Sequence, residues 1–99
     1  MNTETFEAFQ SAALAQGYDE VLVREWSPGQ QIATHTHPFE VQARVVRGEL
    51  ALTCNGHTRR IVAGGGFELP LEAPHAEHYG PAGATFWVAR RHPKIQSGR

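Results

Sequence analysis

The chain has 99 residues, of which 40% are hydrophobic and 19% charged, with a formal net charge of -1; this is the composition of one small globular domain. It lacks the basic excess typical of proteins that bind nucleic acids, and its lone cysteine, Cys54, has no partner for an internal disulfide. Neither a signal-peptide pattern nor a run of eighteen apolar residues is present, so we expect a cytoplasmic protein with no membrane and no nucleic-acid partner.

The first predicted element is a short amphipathic helix from Thr3 to Gln16. Phe6, Phe9 and Ala13 recur at helical spacing within it. Its first residue is a candidate N-cap, and Gly17 follows where a helix would end. No helical pattern follows this segment.

From Asp19 onwards, short apolar segments alternate with turn signals, which indicates β-strands in a sandwich or barrel. The dipeptide Asn55-Gly56 is the strongest hairpin signal, because both residues tolerate the positive φ of a type I′ turn. The predicted strand segments, in order, are EVLVREW, VQARVV, LALTC, HTRRIV and ATFWVARR, with a further strand expected after ELPLEAP.

Two histidines one residue apart, His35 and His37, form the first candidate site. In an extended strand, side chains two residues apart point to the same face, so the two imidazoles can converge on one ion. An H-x-H pair alone is a weak signal, because metal sites usually need three or four protein ligands. A second group, His75 and His78, follows about forty residues later in the chain.

The spacing of these glycines and histidines resembles that of a known family. It is similar to the first cupin motif, G-x5-H-x-H-x3or4-E-x6-G, with Gly29, five residues, His35, Thr36, His37 and then Gly48.

The second cupin motif, G-x5-P-x-G-x2-H-x3-N, has a similar counterpart in Gly64, Pro70 and His75. Fifteen residues separate Gly48 from Gly64, which suits a small single-domain cupin. The resemblance extends from about Val21 to Arg91.

The resemblance implies an all-β fold, the double-stranded β-helix or jelly-roll barrel of cupins, with a short N-terminal helix. Residues 1–17 would be the helix, 18–92 the barrel and 93–99 a flexible tail of the same domain. It also implies a metal site inside the barrel mouth, with His35, His37 and His75 as ligands of a divalent transition metal such as iron, manganese, nickel or zinc.

The chain departs from the family pattern at the acidic ligand, whose position is occupied by Val41. The neighbouring Glu40 has the wrong strand parity to face the ion. Gln42 would take the acidic position with the longer motif spacing, but only if a bulge turned it inward. His78 also has parity opposite to that of His75. Whether Glu40, Gln42 or His78 supplies a fourth ligand stays open.

In the second motif, Glu72 and Tyr79 replace the family's glycine and asparagine. Val41, Ala43 and Val45 share the inward parity of the histidines and are expected to line an apolar cavity below the ion. The aromatic residues Phe67, Phe86 and Trp87 are candidates for its wall, although such residues are more often plain core.

Three neutral imidazoles would leave the charge of a divalent ion uncompensated, which favours a small anionic or chelating ligand. Three-histidine cupins include non-haem iron dioxygenases, so the resemblance implies a metal-dependent dioxygenase as the leading enzymatic hypothesis. The alternative is a small-ligand binding or sensing module without turnover. A third interpretation is a barrel whose histidines have lost their function. Exposed short strands also predict a homodimer.

Overall fold

The computed structural model describes residues 4–93, in which one α-helix precedes six antiparallel β-strands. The elements are α1 (Phe6–Ala15), β1 (Glu20–Trp26), β2 (Gln31–His35), β3 (Glu40–Cys54), β4 (His57–Val62), β5 (Gly66–Leu69) and β6 (His75–Arg91). The predicted all-β class with a short N-terminal helix is confirmed. Within residues 4–93, no helix has the length and apolar character needed to cross a membrane.

The two long strands, β3 and β6, organise the whole sheet. They pair with each other along most of their length, and each has two further partners. β6 pairs with β2 near its start and with β1 towards its end, while β3 pairs first with β5 and then with β4. The result is two layers in the orders β1-β6-β3-β5 and β2-β6-β3-β4, which share the long strands.

The prediction of separate short strands on either side of Gly48 was wrong, as was the separation of HAEHYGP from ATFWVARR. Both segments continue as single strands that bend. Gly48 and Gly83 have φ values of 75° and 71°, and the register between β3 and β6 shifts next to Gly48. Glycine adopts this conformation at little cost, so each bend occurs without ending the strand.

The helix begins later than predicted. Its N-cap is Thr5, whose side-chain oxygen accepts a hydrogen bond from the Ala8 amide at 3.1 Å, whereas the expected cap, Thr3, lies outside the described residues. Phe9 and Ala13 are buried against Ala89, on the outside of the chain's own sheet. The predicted flexible tail lies outside the described residues except for its first residue, Pro93.

The hairpin predicted at Asn55-Gly56 is confirmed, because these residues have φ values of 52° and 77° and join β3 to β4. The main core lies between the two layers. Val41, Ala43 and Val45 are all buried in it, as their alternation predicted. The rest of this core is formed by Leu50, Leu52, Ile61, Phe67, Leu69, Tyr79, Ala84, Phe86 and Val88.

Candidate metal centre

His35 and His75 lie directly opposite each other on neighbouring strands. His35 is the last residue of β2 and His75 the first of β6, and the two are partners in the antiparallel register. Their ring centroids are 4.2 Å apart. Residues that are far apart in sequence are therefore brought together by strand pairing, because opposed side chains project to the same face of the sheet.

The two rings are held in the same way. Nδ1 of His35 lies 2.8 Å from the carbonyl oxygen of Ala33, and Nδ1 of His75 lies 2.9 Å from that of Ala73. A carbonyl oxygen only accepts, so each Nδ1 donates and, in the neutral ring, each Nε2 has a free lone pair. This second-sphere arrangement is typical of histidines that bind metals, because it sets both the tautomer and the ring orientation.

His37 lies just beyond the end of β2 rather than on a regular strand. Its ring stacks on Phe39 with centroids 4.9 Å apart and an interplanar angle of 13°. Burial lowers the pKa of His37 below its ordinary value of 6.5, and the neighbouring His35 and His75 lower it further. The neutral imidazole, which is the form that binds metals, is therefore favoured.

The three histidines offer ligand atoms that all lie within 4.8 Å of one another. Nε2 of His75 is buried and has no hydrogen-bond partner among the described residues. A buried polar atom without a partner is costly, and a bound cation would satisfy it. The donor set, three imidazole nitrogens with fixed tautomers, fits a divalent transition metal.

The histidines open onto a cavity of about 90 Å³. Val41, Phe67 and Phe86 contribute to its wall, whereas Ala43 and Val45 belong to the core and do not line it. The suggested contribution of Trp87 was wrong, because its ring packs against Phe6 and Phe9 of the helix. The other apolar lining residues are Trp26, Ile32, Phe39, Leu69 and Val88.

Two arginines, Arg24 and Arg90, also line this mostly apolar cavity. The Arg24 guanidinium lies over the ring of Trp26 at 4.8 Å, and that of Arg90 lies over Phe39 at the same distance. Arg90 also donates a hydrogen bond of 3.3 Å to Glu20. No local sequence pattern predicted an arginine in the site, because the pairing of β1 with β6 is what brings these two positions to the cavity.

Glu77 lies beside the histidines and was not singled out by the sequence analysis as a candidate ligand. Its Oε2 is 3.4 Å from Nε2 of His75 and 3.6 Å from Nε2 of His35. Its Oε1 accepts a hydrogen bond from the buried hydroxyl of Tyr79. Strand parity was the available signal, because Glu77 is two residues from His75 on one strand and therefore projects to the same face.

Burial raises the pKa of Tyr79 above its ordinary value, and the hydrogen bond to Glu77 raises it further. The phenol therefore stays protonated at neutral pH and acts as a donor to the carboxylate.

The three candidates for a fourth ligand lie elsewhere. Glu40 accepts a hydrogen bond of 3.1 Å from Arg91. Gln42 alternates with the buried Val41 and does not line the cavity, while His78 is exposed and lies along a groove on the outer face of the sheet. The two remaining histidines, His57 and His92, are exposed.

Comparison with known proteins places the chain by its fold. No protein-family model and no curated protein sequence matches it. Among solved structures, a chain from the crystal structures of the DMSP lyases RdDddP and RnDddQII is 26% identical, with a TM-score of 0.69. That match covers 76% of this chain but only 39% of the lyase chain, so the present chain spans less than half of its length.

Two neighbours of more similar length have the same architecture. A conserved protein with a double-stranded β-helix domain from Klebsiella pneumoniae is 27% identical, with a TM-score of 0.65 and coverage of 76% of this chain and 68% of that one. An RmlC-like cupin from Shewanella frigidimarina is 22% identical, with a TM-score of 0.63 and the same coverage.

The two bent layers, with a histidine cluster at one mouth, define a small β-barrel protein with a candidate metal site. Its fold is the double-stranded β-helix, the architecture named for the Klebsiella pneumoniae neighbour and shared with the solved RmlC-like cupin.

Proposed function

We propose that this cupin binds a divalent transition metal through His35, His37 and His75 and takes a small anionic or chelating molecule into the adjacent cavity. The observation that supports this most directly is the convergence of three imidazoles whose ligand atoms lie within 4.8 Å of one another. Two of these rings are already held in the tautomer that a metal requires.

The cavity supports an anionic partner for this metal. Arg24 and Arg90 add positive charge to its wall, and an arginine guanidinium recognises carboxylates with paired donors. Nε of Arg90 and Nε1 of Trp26 are buried donors with no hydrogen-bond partner among residues 4–93. A ligand with acceptor oxygens and a compact apolar body matches these donors and the surrounding aromatic wall.

The reaction we favour is a dioxygenase reaction on such a molecule. A bound divalent ion would supply Lewis acidity and, if it is iron, would relay electrons from the substrate to dioxygen. The chain's own residues would hold the substrate's anionic group at the arginines and keep water away with Phe39, Phe67 and Phe86. The likeness to a chain from structures of DMSP lyases supports an enzyme in general, though not this reaction.

A second candidate function is binding or sensing without turnover. The small size of the cavity favours it, because about 90 Å³ leaves little room for a second reactant beside a substrate. Pockets that bind drug-sized ligands usually have several times the volume of this cavity.

Metal analysis of purified protein tests the first step. We expect about one equivalent of metal per chain in the wild type and a large loss in His75→Ala. His78→Ala is the matched control, since His78 lies on the same strand but is exposed. Wild-type metal content in His75→Ala would show that the histidine cluster is not the metal site.

Oxygen uptake separates the two functions. A dioxygenase loaded with Fe²⁺ should consume oxygen in proportion to a small thiol, diketone or phenol, with both oxygen atoms entering the product. A binding module should bind one of these molecules, measured by calorimetry, without oxygen uptake. Iron bound with no oxygen consumed across all three classes would contradict the dioxygenase.

A further inference from the structure

Glu77 is a largely buried carboxylate at the edge of the histidine cluster. Its side chain is 9% exposed, while that of His75 beside it is 1% exposed. A buried carboxylate is costly unless it is paired with a cation or accepts hydrogen bonds. One oxygen of Glu77 accepts a hydrogen bond from Tyr79, and the other lies near the ring nitrogens of His35 and His75.

The distances from Glu77 to two of the three histidines match those between ligands of one ion. Donor atoms that are each about 2.1 Å from a tetrahedral metal are about 3.4 Å from one another. Oε2 of Glu77 lies 3.4 Å from Nε2 of His75 and 3.6 Å from Nε2 of His35. Nε2 of His75 has no hydrogen-bond partner among the described residues, so a cation between it and this oxygen would satisfy both atoms.

The other carboxylate oxygen of Glu77, Oε1, accepts a hydrogen bond from the protein itself. Tyr79, two residues further along β6, donates its hydroxyl hydrogen to Oε1 of Glu77. The Tyr79 ring is itself fixed by stacking on Trp26, with centroids 5.1 Å apart and an interplanar angle of 14°. With Oε1 occupied, Oε2 is the oxygen directed at the histidines, as in metal sites whose carboxylates have second-sphere hydrogen bonds.

The strand order explains why the carboxylate comes from β6. Val41 occupies the place on β3 where the motif has its acidic residue, and it is buried and apolar. His75, Glu77 and Tyr79 alternate along β6 on one face, so Glu77 points to the same cavity as His75.

We propose that Glu77 is the fourth protein ligand of the metal, supplied from β6 in place of the residue missing at Val41, and that Tyr79 is its positioning residue. This rests on the proposed metal site. It makes the ligand set three imidazoles and one carboxylate, which cancels one of the two charges of a divalent ion.

Titration of metal-free protein with Co²⁺ and Zn²⁺ tests this ligand set. Glu77→Gln keeps the shape of the side chain and removes its charge, and we expect both ions to bind at least about 100-fold more weakly, with altered Co²⁺ visible absorption bands. Glu25→Gln, an exposed position on β1, is the matched control and should bind as the wild type does. Glu77→Ala, which removes the carboxylate altogether, should weaken binding at least as much as Glu77→Gln.

The role of Tyr79 is tested with Tyr79→Phe, which keeps the stacked ring and removes the hydroxyl. We expect binding about 10-fold weaker, a smaller loss than in Glu77→Gln, and Co²⁺ bands that stay close to those of the wild type because the carboxylate is still bound. Co²⁺ affinity equal to that of the wild type would overturn the positioning role.

The outcomes separate this proposal from the one it rests on. A wild-type protein that binds neither Co²⁺ nor Zn²⁺ would overturn the metal site itself. A wild type that binds them, together with unchanged affinity and absorption bands in Glu77→Gln and Glu77→Ala, would overturn only the fourth ligand and leave a three-histidine site.

Discussion

At the scale of single residues, His37 is held differently from the other two histidines. His35 and His75 are each anchored through Nδ1 to a backbone carbonyl oxygen two residues earlier. His37 has no such anchor recorded within residues 4–93 and is held by stacking on Phe39 and by contact with the other two rings. Its protonation therefore depends mainly on burial and on its histidine neighbours, both of which disfavour the charged form.

This difference predicts how the stability of the metal-free protein depends on pH. Because the pKa of His37 is lowered in the folded state, the unfolded chain binds its proton more readily. The contribution is fully present above pH 6.5, the ordinary value, and is lost as pH falls through the lower folded pKa. We expect the urea midpoint to fall between about pH 7 and 5.

Replacement of the His37 imidazole tests whether this residue causes the loss of stability at low pH. His37→Asn should flatten this part of the pH profile, and His57→Gln, at the exposed end of the hairpin, should leave the profile unchanged. An identical slope in wild type and His37→Asn would show that other groups cause the loss of stability.

At the scale of elements, the fold depends on the bends of β3 and β6. The two strands cross from one layer to the other at Gly48 and Gly83, where their backbones lie against each other. A Cβ at Gly48 would lie closer to the carbonyl oxygen of Gly83 than real Cβ contacts allow. Gly48 is also the last glycine of the first motif, so its occurrence there has a packing reason as well as a conformational one.

Substitution of this glycine should therefore destabilise the protein strongly. Gly48→Ala combines a positive φ with a backbone clash, and we expect a loss of roughly 2–4 kcal/mol in the free energy of unfolding. Gly29→Ala is the matched control, because Gly29 has a φ of 67° but no atom within 4 Å of the added Cβ. Its loss should be about 1 kcal/mol, from conformation alone. Equal losses in urea denaturation would mean that the close approach contributes nothing.

At the scale of the whole molecule, the two layers have four edge strands, β1 and β5 in one layer and β2 and β4 in the other. Of these, β1 and β4 each have a large exposed apolar side chain, Val23 at 49% and Val62 at 44%. β4 carries the exposed Arg59 and Arg60, and charges of this kind protect an edge from pairing. β1 is charged as well, but its Glu20 and Arg24 contact the chain's own Arg90 and Trp26. We therefore expect the homodimer predicted from the sequence to form at β1.

Light scattering at micromolar concentration checks this prediction. We expect a mass of twice the 10.9 kDa of the chain in the wild type and the monomer mass in Val23→Lys. Val62→Lys, on edge strand β4, should remain dimeric. A wild type that is monomeric, or a Val23→Lys variant that is still dimeric, would contradict pairing through β1.

Much of the barrel was predictable because its signals are local. Alternation along VQARVV put Val41, Ala43 and Val45 on the buried face, and Asn55-Gly56 marked a turn whatever the rest of the chain did. The resemblance to the cupin motifs correctly predicted the fold and named the three histidines that the structure brings together. Their role as metal ligands stays a prediction.

Local patterns were enough to predict the inward face of β3 and the histidines available for a site, because side-chain parity and turn chemistry act over a few residues. The continuation of β3 and β6 through Gly48 and Gly83, the packing of Trp87 on the helix, and the positions of Glu77, Arg24 and Arg90 around the histidines became visible in the folded chain alone. These contacts depend on the pairing register between strands distant in sequence, which no local pattern specifies.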